Sequence, residues 1–354
     1  MNPKILYLSC HSILEYDEVK LFTEMGLDIF SHGAYMDSEN QGDGLRPRIP
    51  GLKNDKKLLE IACRTNKDRM TPEMTEPFDT VIVMSLPHWI SNNWELLKKK
   101  RVIWRTIGQN SHHSERMMRP YRDQGLEIVR YSPKEATIPG FVGADAVIRF
   151  YKEASLYRGW TGENGNIINF TQSMKSRARE CNYAFYRRVM KGLPHTLFGP
   201  QNENIGEPWA VGAVSYTQML EELRRNRAYF YAPTYPTSYT LNFIEAWMTG
   251  IPVVALGKER GNDPELLRHD LYEIPELIRH GVDGFFTDDA EEYREIFHDL
   301  LADQSYAGCI GEKGRLRAVE LFGRQTIEAQ WRHFLEGGSH ARVSQPTATQ
   351  TARL

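Results

Sequence analysis

The polar side chains best spaced for chemistry lie within residues 229–257, in the run YFYAPTYPTSYTLNFIEAWMTGIPVVALG. Thr237, Ser238, Tyr239 and Thr240 precede an apolar helix in which Asn242 and Glu245 are the strongly polar residues, and their i, i+3 spacing puts both on one face. Hydroxyls and free N–H groups at a helix start meet its partial positive charge, a setting that favours phosphate oxygens. A carboxylate in an apolar helix requires a partner. The combination implies a sugar-nucleotide donor, with the diphosphate on the turn and a polyol, the ribose, held by Glu245. The simpler alternatives are that Ser238, Tyr239 and Thr240 only cap the helix, and that Asn242 or backbone satisfies Glu245.

Breaking a bond to a diphosphate calls for cations near the leaving oxygens. Lys175 and Arg177 follow an expected strand at 167–170 through the turn TQSM, at the carboxyl end where ligands sit in doubly wound sheets. Arg177 offers a fork and Lys175 a point charge; a solvated helix start is the plainer reading, although cations there oppose the dipole. His11 ends the loop after the first strand and is equally a catalytic candidate or a bystander. Arg105 interrupts the apolar strand VIWRT, which suits a pocket or an ion pair with a neighbouring helix. His112 and His113 lack further ligands at metal spacing, and Asp288 and Asp289 precede a helix as caps. No metal or other cofactor is expected. The run KKKR at 98–101 could touch an anionic membrane, or simply complement a helix C-terminus.

These residues need a scaffold. The chain of 354 residues is long for one core, so two domains are expected. Hydrophobic residues at 41% and charged residues at 25% are globular values. A formal charge of -2 argues against nonspecific nucleic-acid binding. Cys10, Cys63, Cys181 and Cys309 are too scattered for a metal knuckle or a secreted disulfide scaffold, and no apolar run suits a secretion signal or a membrane span. A cytoplasmic protein is the expectation.

Short apolar strands alternate with amphipathic helices throughout, the pattern of parallel sheets covered on both faces. Strands are expected at 5–9, 28–30, 80–84, 102–106 and 127–131, then at 167–170, 195–199, 229–232 and near 281–287. Helices are expected at 16–25, 175–191, around 216–223, at 291–301 and through 311–334. The connection 34–52, rich in Gly, Pro, Asp and Asn, reads as a surface loop, and the glycines of 159–165 as a hinge.

Several second-half segments resemble the donor domain of retaining glycosyltransferases of the family 4 type. NFIEAWMTGIPVVAL is similar to that family's signature through Glu245, Ala246, Gly250, Pro252, Val253 and Val254. HGVDGFFTDD resembles its Gly-x-x-Gly turn through Gly281 and Gly284, and WAVGAVSYTQ resembles the stretch ending near the base pocket through Gly212, Val214 and Ser215. The departures are definite. Thr237 stands where the family carries a first glutamate, CHSILEY replaces the glycine pair after the first strand, and Gln109 follows Gly108 where the family has a histidine. Gln109 can donate a hydrogen bond to a sugar but carries no charge.

The resemblance implies an α/β glycosyltransferase-B architecture, two Rossmann-like doubly wound domains facing a cleft. The expected divisions are an acceptor-side domain at 1–158, a donor domain at 159–320, a helix at 321–336 returning toward the first domain, and a flexible tail at 337–354. It further implies metal-independent sugar transfer with retention, to a small-molecule, glycan or glycolipid hydroxyl. Lys175 and Arg177 would hold the diphosphate, and Val214 or Ser215 would lie near the base. A nucleotide-sugar epimerase and a non-catalytic nucleotide-sugar-binding or assembly subunit are the alternatives.

Overall fold

Strands β1 (Lys4–Leu8), β2 (Asp28–His32), β3 (Thr80–Met84), β4 (Arg101–Arg105), β5 (Glu127–Arg130) and β6 (Ala146–Val147) are short runs with nearly every residue buried, as a parallel sheet covered on both faces requires. The computed structural model describes residues 3–33, 49–52, 55–108, 110–234, 237–262 and 270–337. Gln109, most of the 34–52 connection and nearly all of the 337–354 tail lie outside the described residues. The chain forms two compact units, one running to Arg149 and taking up the chain again from Glu328, the other Phe150–Ile327.

In the first unit the six strands are parallel in the order β2-β1-β3-β4-β5-β6. Its core joins Leu6, Leu8, Val81, Val83 and Trp104 of the sheet to Trp89, Ile90, Trp94 and Leu97 of the helix Pro87–Leu97. The terminal helix Arg324–Leu335 contributes Trp331, whose ring meets Phe22 edge-on at 4.9 Å.

The second unit holds β7 (Asn164–Phe170), β8 (His195–Phe198), β9 (Asn226–Tyr231), β10 (Val253–Leu256) and β11 (Phe285–Thr287), parallel in the order β11-β10-β9-β7-β8. The chain moves from β7 outward to β8, then crosses back to β9 on the other side of β7. The switch point of this sheet therefore lies between β7 and β9.

Glycines seat the helix that follows β9, Leu241–Thr249. Gly250 closes it in the left-handed conformation at φ 89°, which a side chain resists, and Pro252 prevents its continuation. The helix Gln304–Phe322 crosses this corner so closely that a Cβ on Gly311 would lie 1.9 Å from the Gly250 carbonyl oxygen. Only glycine permits that approach.

Two expectations about organisation differ from the structure. The glycine-rich 159–165 stretch is bound to the second unit rather than free: Trp160 Nε1 donates to the Asn226 carbonyl at 2.9 Å, and the buried Arg227 donates to the Gly162 carbonyl at 2.7 Å. The helix expected over 175–191 is regular only at Tyr183–Met190. Ser173 and Asn182 take positive φ of 54° and 53°, and these left-handed residues confine the segment between them to turns.

Candidate functional site

In open α/β sheets, connections leaving the carboxyl ends of strands on either side of a switch point diverge and leave a crevice for ligands. Here those connections are 171–182 after β7 and 232–240 after β9. They are the two segments that sequence reasoning singled out.

The first is held by Asn202, a buried residue in the turn after β8. Its Nδ2 donates to the Thr171 carbonyl at 2.6 Å and its Oδ1 accepts the Met174 N–H at 2.9 Å. Gly199 passes so near that a Cβ would come within 2.5 Å of the Thr171 carbonyl oxygen. The turn so fixed presents Lys175 exposed and Arg177 half-buried. Neither side chain makes a hydrogen bond or ion pair among the described residues.

The second connection differs from its expected role. Ser238 is fully buried, and its carbonyl accepts the Glu273 N–H at 3.1 Å. Tyr239 is buried between the rings of Phe150 and Phe322, at centroid distances of 5.7 and 5.4 Å. Both are thereby removed from a phosphate surface, because their apolar neighbours hold the turn down. Thr237 is half-buried and donates to the Thr234 carbonyl at 3.3 Å. The amide of Thr240 goes to the Tyr231 hydroxyl at 3.1 Å.

Thr240 is nonetheless the N-cap of the helix Leu241–Thr249, and its side chain does not cap it. Among the described residues, no side chain caps the first-turn N–H groups, which suits them to another acceptor. Asn242 Nδ2 reaches the carbonyl of Phe170, the last residue of β7, at 2.5 Å. That bond ties the uncapped helix start to the strand from which the basic turn departs.

Glu245, 5% exposed, has a partner that sequence reasoning did not name. Its Oε1 receives Lys152 Nζ at 2.7 Å and the Tyr157 hydroxyl at 3.1 Å, and Tyr157 is within 2.8 Å of the Tyr216 hydroxyl. Lys152 is fully buried, so each charge neutralises the other inside the unit. Oε2 takes no hydrogen bond among the described residues.

Ser215 forms a capping box with Gln218 at the start of the helix Tyr216–Arg225, and Val214 is half-buried before it. Asp289 caps the helix Ala290–Ala302, while Asp288 accepts the Glu259 and Arg260 amides at 3.0 and 2.9 Å. Among the described residues, no three His, Cys, Asp or Glu side chains are grouped to hold a metal ion.

In the first unit, Arg105 must be withdrawn as a donor ligand. It is fully buried, donates to Glu18 Oε1 at 2.6 and 2.9 Å and to the Ile148 carbonyl at 2.6 Å, and lies over the Trp331 ring. Its guanidinium is consumed by the core. His11 is half-buried and caps the helix Ser12–Glu24, its Nδ1 accepting the Leu14 amide at 3.4 Å. Of the 98–101 run, Arg101 pairs with Glu127 at 2.8 Å and donates to the Leu335 carbonyl at 2.7 Å.

Two features of this unit escaped sequence reasoning. A cavity of about 510 Å³ opens at the carboxyl end of β2, lined by Ser31, His32, Asn66, Lys67 and Trp89. Lys67 reaches the Ser9 carbonyl at 3.5 Å, and the buried Asn93 grips the Lys67 carbonyl and the Met70 amide at 2.9 and 2.7 Å. The second is Glu135, which accepts Thr106 Oγ1 at 2.7 Å and Asn110 Nδ2 at 2.9 Å. Complete burial pushes its carboxyl up to about 7, against the opposing pull of Arg130.

No protein-family model matches the chain, and no curated protein matches it. Solved structures do. HepE from Anabaena, in complex with UDP-glucose, aligns over 95% of this chain and 100% of its own, with a TM-score of 0.67 at 13% identity. The fold is that of the glycosyltransferase-B class. Sucrose-phosphate synthase from Thermosynechococcus elongatus aligns over 94% of this chain and 98% of its own, with a TM-score of 0.64 at 12% identity. An alpha-glucosyltransferase in complex with UDP-glucose and DNA containing an abasic site covers 95% of this chain and is itself covered completely, with a TM-score of 0.62 at 12% identity. Among the described residues, no helix is long and apolar enough to cross a membrane.

Proposed function

We propose that the protein is a glycosyltransferase that moves a sugar from a nucleoside diphosphate donor to a hydroxyl acceptor, with retention at the anomeric carbon and without a metal. The observation that carries this reading is the helix start of Leu241–Thr249, which has no side-chain cap and is bound through Asn242 to the end of β7, the strand whose outgoing turn carries Lys175 and Arg177, cations with no hydrogen bond or ion pair among the described residues. Helix N–H groups and two cationic side chains are the donors a leaving diphosphate needs. HepE, of the same fold, holds UDP-glucose.

In this reading Lys175 and Arg177 bind the diphosphate oxygens and stabilise the charge that builds as the anomeric bond breaks. Glu245 turns its unbonded Oε2 to the ribose, while Lys152 and Tyr157 hold the other oxygen in place. Val214 and Ser215 lie near the base. The acceptor is a small molecule, glycan or glycolipid, and the leaving phosphate takes its hydroxyl proton. Four free cysteines suit a cytoplasmic setting.

The Lys152–Glu245 pair also favours a second reading, a subunit that binds nucleotide sugar without turnover, because the carboxylate is already neutralised. Radiolabelled UDP-glucose incubated with an acceptor panel in chelator separates the two. Transfer with retained configuration supports the enzyme; saturable binding with neither transfer nor donor hydrolysis supports the subunit.

A further inference from the structure

We propose that the second unit carries a separate site for an organic phosphate at the amino-terminal end of its sheet, opposite the crevice described above. A cavity of about 520 Å³ opens there beside His195, the first residue of β8. That volume is within the range of small-molecule sites, about 300–1,000 Å³. The charged residues lining it are Arg187, Arg188 and Lys191, with no carboxylate among them.

Cations at a helix C-terminus ordinarily serve its unsatisfied carbonyls. Here Arg294 already does so, donating to the Val189 and Lys191 carbonyls at 2.7 Å each. The three lining cations are surplus to that task. Arg187 lies over the Trp209 ring at 5.4 Å, and Trp209 is fixed because its carbonyl accepts the Leu197 N–H of β8 at 2.8 Å. A guanidinium stacked in this way has its fork oriented before any ligand arrives. The nearest carboxylates, Glu207 at 3.6 Å from Arg187 and Glu291 at 3.7 Å from Arg188, belong to exposed pairs, which contribute little. Lys191 is exposed and makes no side-chain hydrogen bond or ion pair among the described residues.

Guanidinium forks and an ammonium around one space match the oxygens of a phosphoryl group. The rest of the lining is Met190, Gly192, the Trp209 side chain and the imidazole of His195, and gives room for an organic body. The chemistry recognised is a phosphate ester, whether free in solution or at the head of a lipid.

The test uses the full chain, glycerol phosphate in calorimetry, and co-sedimentation with phosphatidylcholine vesicles prepared with and without phosphatidic acid. Wild type binds at least one probe, and Arg187→Ala/Arg188→Ala/Lys191→Ala weakens binding roughly a thousandfold, on the order of tenfold for each of the three cations removed. Lys175→Ala, at the crevice, leaves it unchanged. Binding of glycerol phosphate identifies a free ester as ligand; binding only to phosphatidic acid vesicles identifies a headgroup. Should the triple variant not fold, the single exposed change Lys191→Glu is expected to weaken binding about tenfold. Failure of wild type to bind either probe, or variants that bind as wild type does, overturns the proposal. None of these probes is a nucleotide, so the outcome is independent of the proposed transferase activity.

Discussion

Replacing Lys152 by methionine removes the cation that neutralises Glu245 and keeps nearly the same volume. Lys152 and Glu245 side chains are 0% and 6% exposed and 2.7 Å apart, so the single change leaves a carboxylate in the interior with the Tyr157 hydroxyl as its remaining partner. Breaking a buried pair from one side costs about 3–5 kcal/mol, and the surviving hydrogen bond returns about 1 kcal/mol. The expected loss is therefore near the lower bound, about 3 kcal/mol, or roughly 6–12 °C in melting temperature for a domain of this size. Removing both charges, in Lys152→Met/Glu245→Leu, should recover most of the stability, to within about 1 kcal/mol of wild type. The double variant should still lose stabilisation by UDP, since the ribose contact goes with the carboxylate. Urea denaturation of the three proteins, with and without UDP, measures each quantity. A single variant that loses less than about 1 kcal/mol would refute the buried-pair argument, and a double variant that responds to UDP as wild type does would refute the ribose contact.

Other expectations follow from the same geometry. Arg105→Met should destabilise by about 3 kcal/mol or more through the stranded Glu18, yet the folded fraction should bind UDP with unchanged affinity in calorimetry. Gly311→Ala should cost at least about 1–3 kcal/mol by overpacking against the Gly250 carbonyl, read as a lower urea midpoint. Glu135 has its carboxyl raised from 4.5 to about 7 in the folded protein, so between those values the folded state holds a proton that the unfolded state has released. Stability from this group is present below about pH 4.5 and is lost as pH rises through 7, by up to about 3 kcal/mol. The melting temperature of Glu135→Gln should decline less over that interval than that of wild type, and parallel curves would contradict the assignment.

Much of the scaffold was legible because local pattern decides it. The apolar runs at β1 and β3 suit strands buried on both faces, and Gly250 with Pro252 marks a helix end whatever surrounds it. Contacts between residues remote in sequence were not legible. Glu245 finds Lys152 and Arg105 finds Glu18 across separations of 93 and 87 residues, and no spacing rule announces such pairs. A lysine inside the run FYKEASLY was the available signal for the first, since an ammonium among aromatic side chains needs a carboxylate. The helix expected over 175–191 failed for a different reason. Ala178, Cys181, Phe185 and Val189 have helical spacing, but left-handed Asn182 interrupts the backbone before Tyr183. Ser238 and Tyr239 look polar in sequence, yet Phe150 and Phe322 draw this turn into the core.

In the proposed transferase a diphosphate is seated at the start of the helix Leu241–Thr249 and held by Lys175 and Arg177. Thermal shift with UDP and UDP-glucose tests it directly, because a ligand at one hundred times its dissociation constant stabilises the fold by about 2.7 kcal/mol. Wild type should show that shift, and Lys175→Ala/Arg177→Ala should abolish it while melting normally without ligand. Equal stabilisation of the double variant and wild type would contradict the placement of the diphosphate.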